Sequence, residues 1–310
     1  MDKKNQITEG VIWKQLLIFF FPIMVGTLFQ QLYNTVDAII VGRFVGKQAL
    51  ASVGGSAAVL TNFVIGFFTG LSAGATVIIS QFYGAKNLKQ LSKGLHTAYA
   101  FSITVSILIS VIGWFSTPAL LHLLKTPADV IPDSILYLRI YFLGMIFTLT
   151  YNMGSSIMRA IGDSRRPLIY LVICCVINII LDILFVIVFH MGIAGAAIAT
   201  VISQGVSAIL VTRSLMKSYG ILKLELRAIR FHGALLKSEL KIGLPGGIQS
   251  FGYSISNIII QAVINNFGTD TAAAWAAYGK LDAIFWTVCG SFGIAITTFS
   301  GQNFGARKFD

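Results

Sequence analysis

The chain has 310 residues, of which 55% are hydrophobic and 11% are charged, and its formal net charge is +11. With a mean hydropathy of +0.80, it could not build the polar surface that a soluble protein needs, so a soluble helical domain is excluded. Apolar runs of about 20 residues are instead typical of membrane-spanning helices.

The apolar residues form eight long segments separated by polar connections, at 12–42, 50–82, 95–116, 135–158, 168–190, 193–212, 242–266 and 272–300. A chain in lipid must satisfy its backbone hydrogen bonds internally, and at these lengths only helices do so. The sequence therefore predicts an all-α integral membrane protein with eight transmembrane helices.

The positive charge is distributed unevenly between the two sides of this predicted topology. Eighteen of the 23 lysines and arginines lie on the side of the N-terminus, whereas the other side has Arg43, Lys47 and Lys125. Because loops rich in lysine and arginine stay in the cytoplasm, we expect a multi-pass protein of the plasma (inner) membrane with a cytoplasmic N-terminus. Topology thus accounts for the net charge, and we do not expect nucleic-acid binding.

An internal repeat relates the early and late parts of the chain. The segment "SQFYGAKNLKQ" (80–90) recurs as "SGQNFGARKFD" (300–310), and Pro22 aligns with Pro245 at nearly the same spacing. Each copy begins on the same side of the membrane, which gives the parallel repeat that many transporters use.

The repeat also predicts the domain organisation. We expect a six-helix N-terminal lobe at 1–212, a cytoplasmic basic linker at 213–241, and the first two helices of a second lobe at 242–310. Since a second copy would need six helices of its own, we expect a C-terminally truncated chain of a longer protein.

Three carboxylates lie within the apolar segments, at Asp37, Asp182 and Asp282. A charged side chain at the centre of a membrane helix costs about 2.5–3.5 kcal/mol on insertion scales. Each carboxylate must therefore be neutralised by a proton, a cation or a polar partner. A purely structural hydrogen bond is the alternative to a functional role.

Asp37 has polar neighbours on its own predicted helix. Tyr33 and Gln30 precede it by one and two helical turns, and Asn34 lies three residues away, so these side chains share a face. They are candidates for the polar lining of a cavity around Asp37.

A second polar group lies on the fifth and sixth segments. Asn178 and Asp182 are four residues apart and share a helix face, and Thr200 follows on the next segment. If these segments meet the first one in a bundle, the two carboxylates, an amide oxygen and a hydroxyl converge with Asp37. Such an oxygen set suits H+ or Na+, and we expect no other metal ion and no cofactor.

Other polar or unusual residues carry weaker signals. Lys280 and Asp282 are two apart and do not face each other on a helix, so we treat them as polar residues of a second-lobe cavity. Pro22 removes a backbone hydrogen bond within the first segment and is a candidate hinge. The histidines are scattered and no catalytic motif occurs, so there are no candidate catalytic residues and we do not expect an enzyme.

Four stretches resemble the multidrug and toxic compound extrusion (MATE) family of transporters, in its bacterial type. They are "FPIMVGTLFQQLYNTVDAIIVGRFVG", "GLSAGATVIISQFYGAKN", "RAIGDSRRP" and "INIILDILF". The resemblance implies a MATE fold with two six-helix lobes around a V-shaped cavity. It also implies multidrug efflux of amphipathic, often cationic, compounds by antiport with H+ or Na+ through alternating access, and hence antibiotic resistance. The implied partners are small-molecule drugs or organic cations and the lipid bilayer, and we expect a monomer.

The resemblance assigns roles by position in this sequence. The residues that match the family's cation-coupling set are Asp37, Asn178, Asp182 and Thr200. Tyr33 and Gln30 match polar neighbours of that set, and Pro22 matches a first-helix proline that bends. The repeat counterpart of Asp37 is Ile260, so the part of the second lobe that is present shows no mirrored carboxylate.

A flippase for lipid-linked oligosaccharides, of the same superfamily fold, is the alternative function. Such a protein handles anionic lipids and would need several cations at membrane depth. Here only Lys280 and Arg139 lie at that depth, against three carboxylates. This balance of charge favours a cationic cargo.

Overall fold

The computed structural model describes residues 7–217, 223–265 and 269–308, and these residues form helices and no strand. The α-helices are α1 (Ile12–Phe44), α2 (Lys47–Gly54), α3 (Ser56–Gly84), α4 (Leu88–Leu123), α5 (Ile131–Leu143), α6 (Met145–Ala160), α7 (Arg165–Asp182), α8 (Gly192–Lys217), α9 (Gly233–Asn265) and α10 (Thr269–Gly305). A π-helical turn, Ile183–Val188, continues α7, and a short 3-10 turn, Leu226–Ala228, lies between α8 and α9. The predicted all-α fold is confirmed.

The helices follow the eight apolar segments, with three of those segments broken. The second segment comprises α2 and α3, the fourth comprises α5 and α6 with a bend of 49° between them, and the fifth ends in the π-helical turn. Among the described residues, six helical stretches are long and apolar enough to cross a membrane, and the bent pair makes a seventh. The predicted span 242–266 falls on α9, which is not among these stretches because its serine and glutamine residues reduce its mean hydropathy.

Glycines and side-chain caps set several of the breaks between helices. Gly46 adopts a φ of 126° between α1 and α2, and Gly162 adopts a φ of 93° between α6 and α7, values that favour glycine. The Asp163 carboxylate accepts hydrogen bonds of 3.1 Å from the backbone N–H groups of Arg165 and Arg166, which caps the start of α7. The "GDSRRP" stretch therefore forms a tight, capped turn.

The first lobe, α1 to α8, encloses one continuous apolar core. Large side chains of α4, α5 and α6 occupy its centre, among them Tyr99, Leu138 and Met153. Because Ala196 and Ala197 of α8 are fully buried and small, α8 can pack closely on α6 and α7. This packing holds α7 and α8 beside α1, which places the polar residues of these three helices in one region.

The two copies of the repeated motif adopt the same local structure at the ends of α3 and α10. Lys86 has a φ of 55° and Arg307 a φ of 58°. The matching backbone hydrogen bonds run from Ala85 to Gln81 (2.9 Å) and Asn87 to Phe82 (3.0 Å), and from Ala306 to Gln302 (2.9 Å) and Lys308 to Asn303 (3.0 Å). Both helices thus end in the same left-handed cap, as the repeat in the sequence leads us to expect.

These two helix ends also pack against each other. Gly84 lies against the backbone of Gln302, and Gly305 lies against the backbone of Gln81, so each motif presents its glycine to the glutamine of the other. The Gln302 amide also donates a buried hydrogen bond of 2.7 Å to the Ala160 carbonyl at the end of α6. We call this end of the molecule, which also carries the starts of α4, α7 and α9, the basic end.

Contact between the first lobe and α9 extends inward from the basic end. Glycines of α3 and α9 meet backbone to backbone at Gly70 with Gly246 and at Gly74 with Gly243, and the Phe63 and Phe251 rings pack 5.0 Å apart further along. We call this glycine-lined contact of α3 and α4 with α9 and α10 the lobe seam. Beyond Phe251, apolar side chains of α9 such as Tyr253, Ile255, Ile259 and Ile260 are exposed.

Candidate functional site

The helices α1 and α7 pack side by side and bring two buried carboxyl groups together. The side chain of Asp37 on α1 is 8% exposed, and that of Asp182 at the end of α7 is 0% exposed. Their carboxyl groups are close enough to interact with each other. The structure therefore places the two carboxylates, predicted from separate segments, in a single pair inside the first lobe.

An amide and a hydroxyl extend this pair toward α8. The Asn178 amide donates a hydrogen bond of 3.5 Å to the Thr200 hydroxyl, and both residues are buried. Asn178 lies one helical turn before Asp182, so its side chain is on the same face of α7. The structure thus brings the predicted residues of α1, α7 and α8 into one buried cluster, which we call the polar cluster.

Several oxygen atoms of the polar cluster have no hydrogen-bond donor. They are one carboxyl oxygen of Asp37 (Oδ1), both carboxyl oxygens of Asp182, and the amide oxygen of Asn178. Buried acceptors without a donor are costly, and adjacent anionic carboxylates repel each other. A proton shared by the carboxyls, or a cation bound by these oxygens, would remove both costs, so the donor set fits H+ or Na+.

Local helix geometry contributes to the position of Asp182. It is the last residue before the π-helical turn at Ile183–Val188, which packs against α1 and α8. A π-helical turn widens the helix by one residue and often occurs at functional sites. The turn therefore lies at the point where α7 presents its carboxylate to the neighbouring helices.

Three tyrosines surround the carboxyl pair. Tyr33, which was predicted, lies close to Asp37, while Tyr137 of α5 lies close to both carboxyls, and Tyr141 stacks on Tyr137 with ring centroids 6.0 Å apart. The last two were not among the predicted site residues. Their spacing of four residues within an apolar segment is the signal that could have identified them, since it is the spacing that identified Asn178 and Asp182.

The remaining predicted residues lie outside the polar cluster. Gln30 and Asn34 are exposed, so they line an accessible surface of α1, and their role at the site stays a prediction. Pro22 lies within α1, which is one continuous helix, and its role as a hinge likewise stays a prediction. Asp282 accepts a hydrogen bond of 3.3 Å from the Tyr278 hydroxyl, and the Lys280 side chain is outside the described residues.

Comparison with known protein families and curated proteins places this geometry in context. The MatE family model matches residues 22–184, a range that contains Asp37, Asn178 and Asp182. The chain is 32% identical to Probable multidrug resistance protein YpnP of Bacillus subtilis, over 98% of this chain and 67% of the relative. It is 31% identical to Probable multidrug resistance protein YoeA of the same species, over 96% of this chain and 66% of the relative. The chain thus spans about two thirds of the length of these curated relatives.

Solved structures show the same fold. A MOP superfamily transporter from Pyrococcus furiosus superimposes with a TM-score of 0.91 at 23% identity, covering 99% of this chain and 68% of the other. The outward-facing conformation of a multidrug resistance MATE family transporter gives a TM-score of 0.90 at 24% identity, with the same coverage. The helices of this chain therefore have the arrangement seen in these transporters.

Proposed function

Because this chain belongs to the MatE family, we propose that it takes part in multidrug efflux, exporting amphipathic, often cationic, compounds by antiport with H+ or Na+. The relatives named as multidrug resistance proteins support the drug-efflux part of the proposal. The polar cluster supports the coupling part. The excess of lysine and arginine at the basic end supports a plasma-membrane protein with that end in the cytoplasm.

The observation that carries the coupling proposal is the pair of Asp37 and Asp182, with three of their four carboxyl oxygens unpartnered. Two ionised carboxylates that are buried near each other cannot both remain without a counter-charge. The pair therefore binds a proton or a cation when the site faces one side of the membrane. It releases that ion when the site becomes hydrated from the other side.

The two lobes provide a route for alternating access. In this structure the two helices of the second lobe, α9 and α10, pack on α3 of the first lobe, and α10 meets α3 at the basic end. With the basic end in the cytoplasm, this is a conformation closed toward the cytoplasm. Binding of the ion at the polar cluster favours return to the conformation that is open toward the cytoplasm. Binding of the drug in that conformation favours its export.

The charges at membrane depth support drug efflux over the alternative, a flippase for lipid-linked oligosaccharides. Arg139 of α5 is already engaged, with its guanidinium 5.3 Å from the centroid of the Trp114 ring. An anionic lipid headgroup would need several free cations in the cavity. The polar cluster instead offers oxygen atoms, which suit a proton, Na+ or a cationic cargo.

The test is drug efflux from vesicles that contain the complete protein, under an imposed pH or Na+ gradient. We expect Asp37→Asn and Asp182→Asn each to abolish gradient-driven efflux, because one anionic oxygen of the pair is lost. Asp129→Asn, an exposed carboxylate in the connection before α5, is the matched control and should retain most of the activity. Near-normal coupled transport by both cluster variants would rule out the coupling proposal.

A further inference from the structure

A third buried carboxylate, that of Glu239, lies at the lobe seam. Glu239 belongs to α9, and its side chain is 4% exposed. Its Oε1 atom has no hydrogen-bond partner. Sequence position alone gives no sign of this burial, because Glu239 lies in the predicted basic linker between two exposed lysines, Lys237 and Lys241.

The groups around Glu239 belong to the first lobe. Its backbone carbonyl lies against Gly74 of α3, where no side chain would fit. Gly94 of α4 faces the carboxyl group, because a β-carbon built on this glycine would lie 4.0 Å from Glu239 Oε1. The side chains of Ile79 and Phe82 lie within 4.0 Å of the same point. A carboxyl group from one lobe is thus enclosed between two helices of the other.

The charged groups of the helices near the lobe seam do not contribute to the pKa shift of Glu239. Residues 71–82 of α3 contain none, and on α4 the candidates are Lys93 and His96. The His96 imidazole accepts a hydrogen bond of 3.0 Å from the Glu225 backbone N–H. Burial, the charge of Arg230 and then that of Lys93 lower the pKa of His232, so Lys93 lies near that imidazole. Of the described ionisable residues of α10, Tyr278 and Asp282 lie in the half of the helix away from the basic end, and Cys289 lies near its middle.

The environment of Glu239 is therefore apolar. Burial raises the pKa of this carboxyl from 4.5 to about 8, and no neighbouring charge contributes to the shift. Glu239 precedes the apolar segment 242–266, so water reaches it from the basic end once the lobes move apart.

We propose that Glu239 is a proton-binding residue of the lobe seam, protonated when the two lobes are packed at the basic end and ionised when they separate. The proton comes from the solution at the basic end and returns to it. It therefore does not add to the ions exchanged for drug. The proposal rests on the proposed function in one respect, that the seam opens during transport.

The direction of the pH dependence follows from linkage. The closed seam has the raised pKa, so protonation stabilises it fully below the pKa of the exposed carboxyl, near 4.5. That stabilisation is lost as the pH rises through about 8. Between pH 4.5 and about 8, the ratio of closed to open molecules should fall by up to about tenfold per pH unit. Above about pH 8, the ratio should level off.

The experiment measures the distance across the basic end as a function of pH. Spin labels at Lys86 and Arg307, equivalent exposed positions in the two repeats, report the closed and open seam in the complete, otherwise cysteine-free protein. We expect the short-distance population to decrease as the pH rises from about 5 to 8. In Glu239→Gln, which resembles the protonated form, the seam should stay closed and lose this pH dependence.

Two controls make the outcome decisive. Glu225→Gln changes an exposed glutamate of the linker and should keep the wild-type pH response. The double variant Asp37→Asn/Asp182→Asn lacks the coupling carboxylates and should also keep it, so a failure of the coupling proposal is distinguishable from a failure of this one. Glu239→Leu repeats the test with an apolar side chain. A wild-type pH response in both Glu239 variants would overturn the proposal.

Discussion

The chain contains two kinds of buried carboxylate site, and their surroundings differ. Asp37 and Asp182 lie inside one lobe, with an amide, a hydroxyl and tyrosines around them. Glu239 lies between the lobes, with glycine backbone and hydrocarbon around it. The first environment offers several oxygen ligands and can hold a proton or a metal ion, whereas the second can neutralise its carboxyl only with a proton.

The two sites also differ in what must move. The polar cluster is assembled from α1, α7 and α8, which share one core, so it does not depend on contact with the second lobe. The surroundings of Glu239 exist only while α9 is packed on α3 and α4. The same chemical group is therefore suited to ion coupling in one place and to sensing lobe closure in the other.

The largest effect is expected from filling the glycine contact at the seam. Gly84→Val would place a side chain against the Gln302 backbone, where backbone atoms cannot move aside, so the closed population should fall by at least about tenfold. The distance across the basic end measures this. Gly66→Val, in the same helix but facing open space, is the matched control and should leave the population unchanged. An equally closed Gly84→Val protein would show that the seam is looser than described.

A change at Thr200 should affect the polar cluster and leave the seam unchanged. Thr200→Val removes the hydroxyl that accepts from Asn178, and losing one oxygen ligand should weaken Na+-driven efflux about tenfold. H+-driven efflux should stay within about twofold, because a proton needs only the carboxyl pair. Efflux rates measured over a series of Na+ concentrations, and over a series of pH values, distinguish Na+-driven from H+-driven efflux. Loss of H+-driven transport as well would show that Thr200 only holds Asn178 in place.

A smaller effect is expected from the hydrogen bond that joins α10 to α6 at the seam. Gln302→Leu removes the donor to the Ala160 carbonyl, which costs about 1 kcal/mol and should reduce the closed population about fivefold. The pH response assigned to Glu239 should remain. Gln249→Leu, elsewhere in the second lobe, tests whether any loss of a glutamine has this effect. A change in the pH midpoint would indicate that Gln302 and Glu239 act together.

The difference between the two sites also explains what the sequence could predict. Asn178 and Asp182 are recognisable because their spacing places them on one helix face, and an aspartate such as Asp37 stands out within an apolar segment. Glu239 has neither signal, since it follows Lys237 in a charged linker. Its burial arises from the approach of α9 to α3, a tertiary contact that helix periodicity does not encode. The helices themselves were predictable because lipid imposes them on every long apolar segment.

The smallest effect is expected from Tyr137 of α5, which lies beside the polar cluster and was not among the predicted site residues. Tyr137→Phe keeps the ring in the core and removes only the hydroxyl near Asp37 and Asp182. Losing one polar group beside the pair should lower H+-driven efflux about threefold, while the KM for drug and the pH response of the seam stay unchanged. Tyr170→Phe, three helical turns before Asp182, is the control. If both tyrosine variants lower efflux equally, the effect comes from packing of the lobe, and the polar cluster extends no further than α1, α7 and α8.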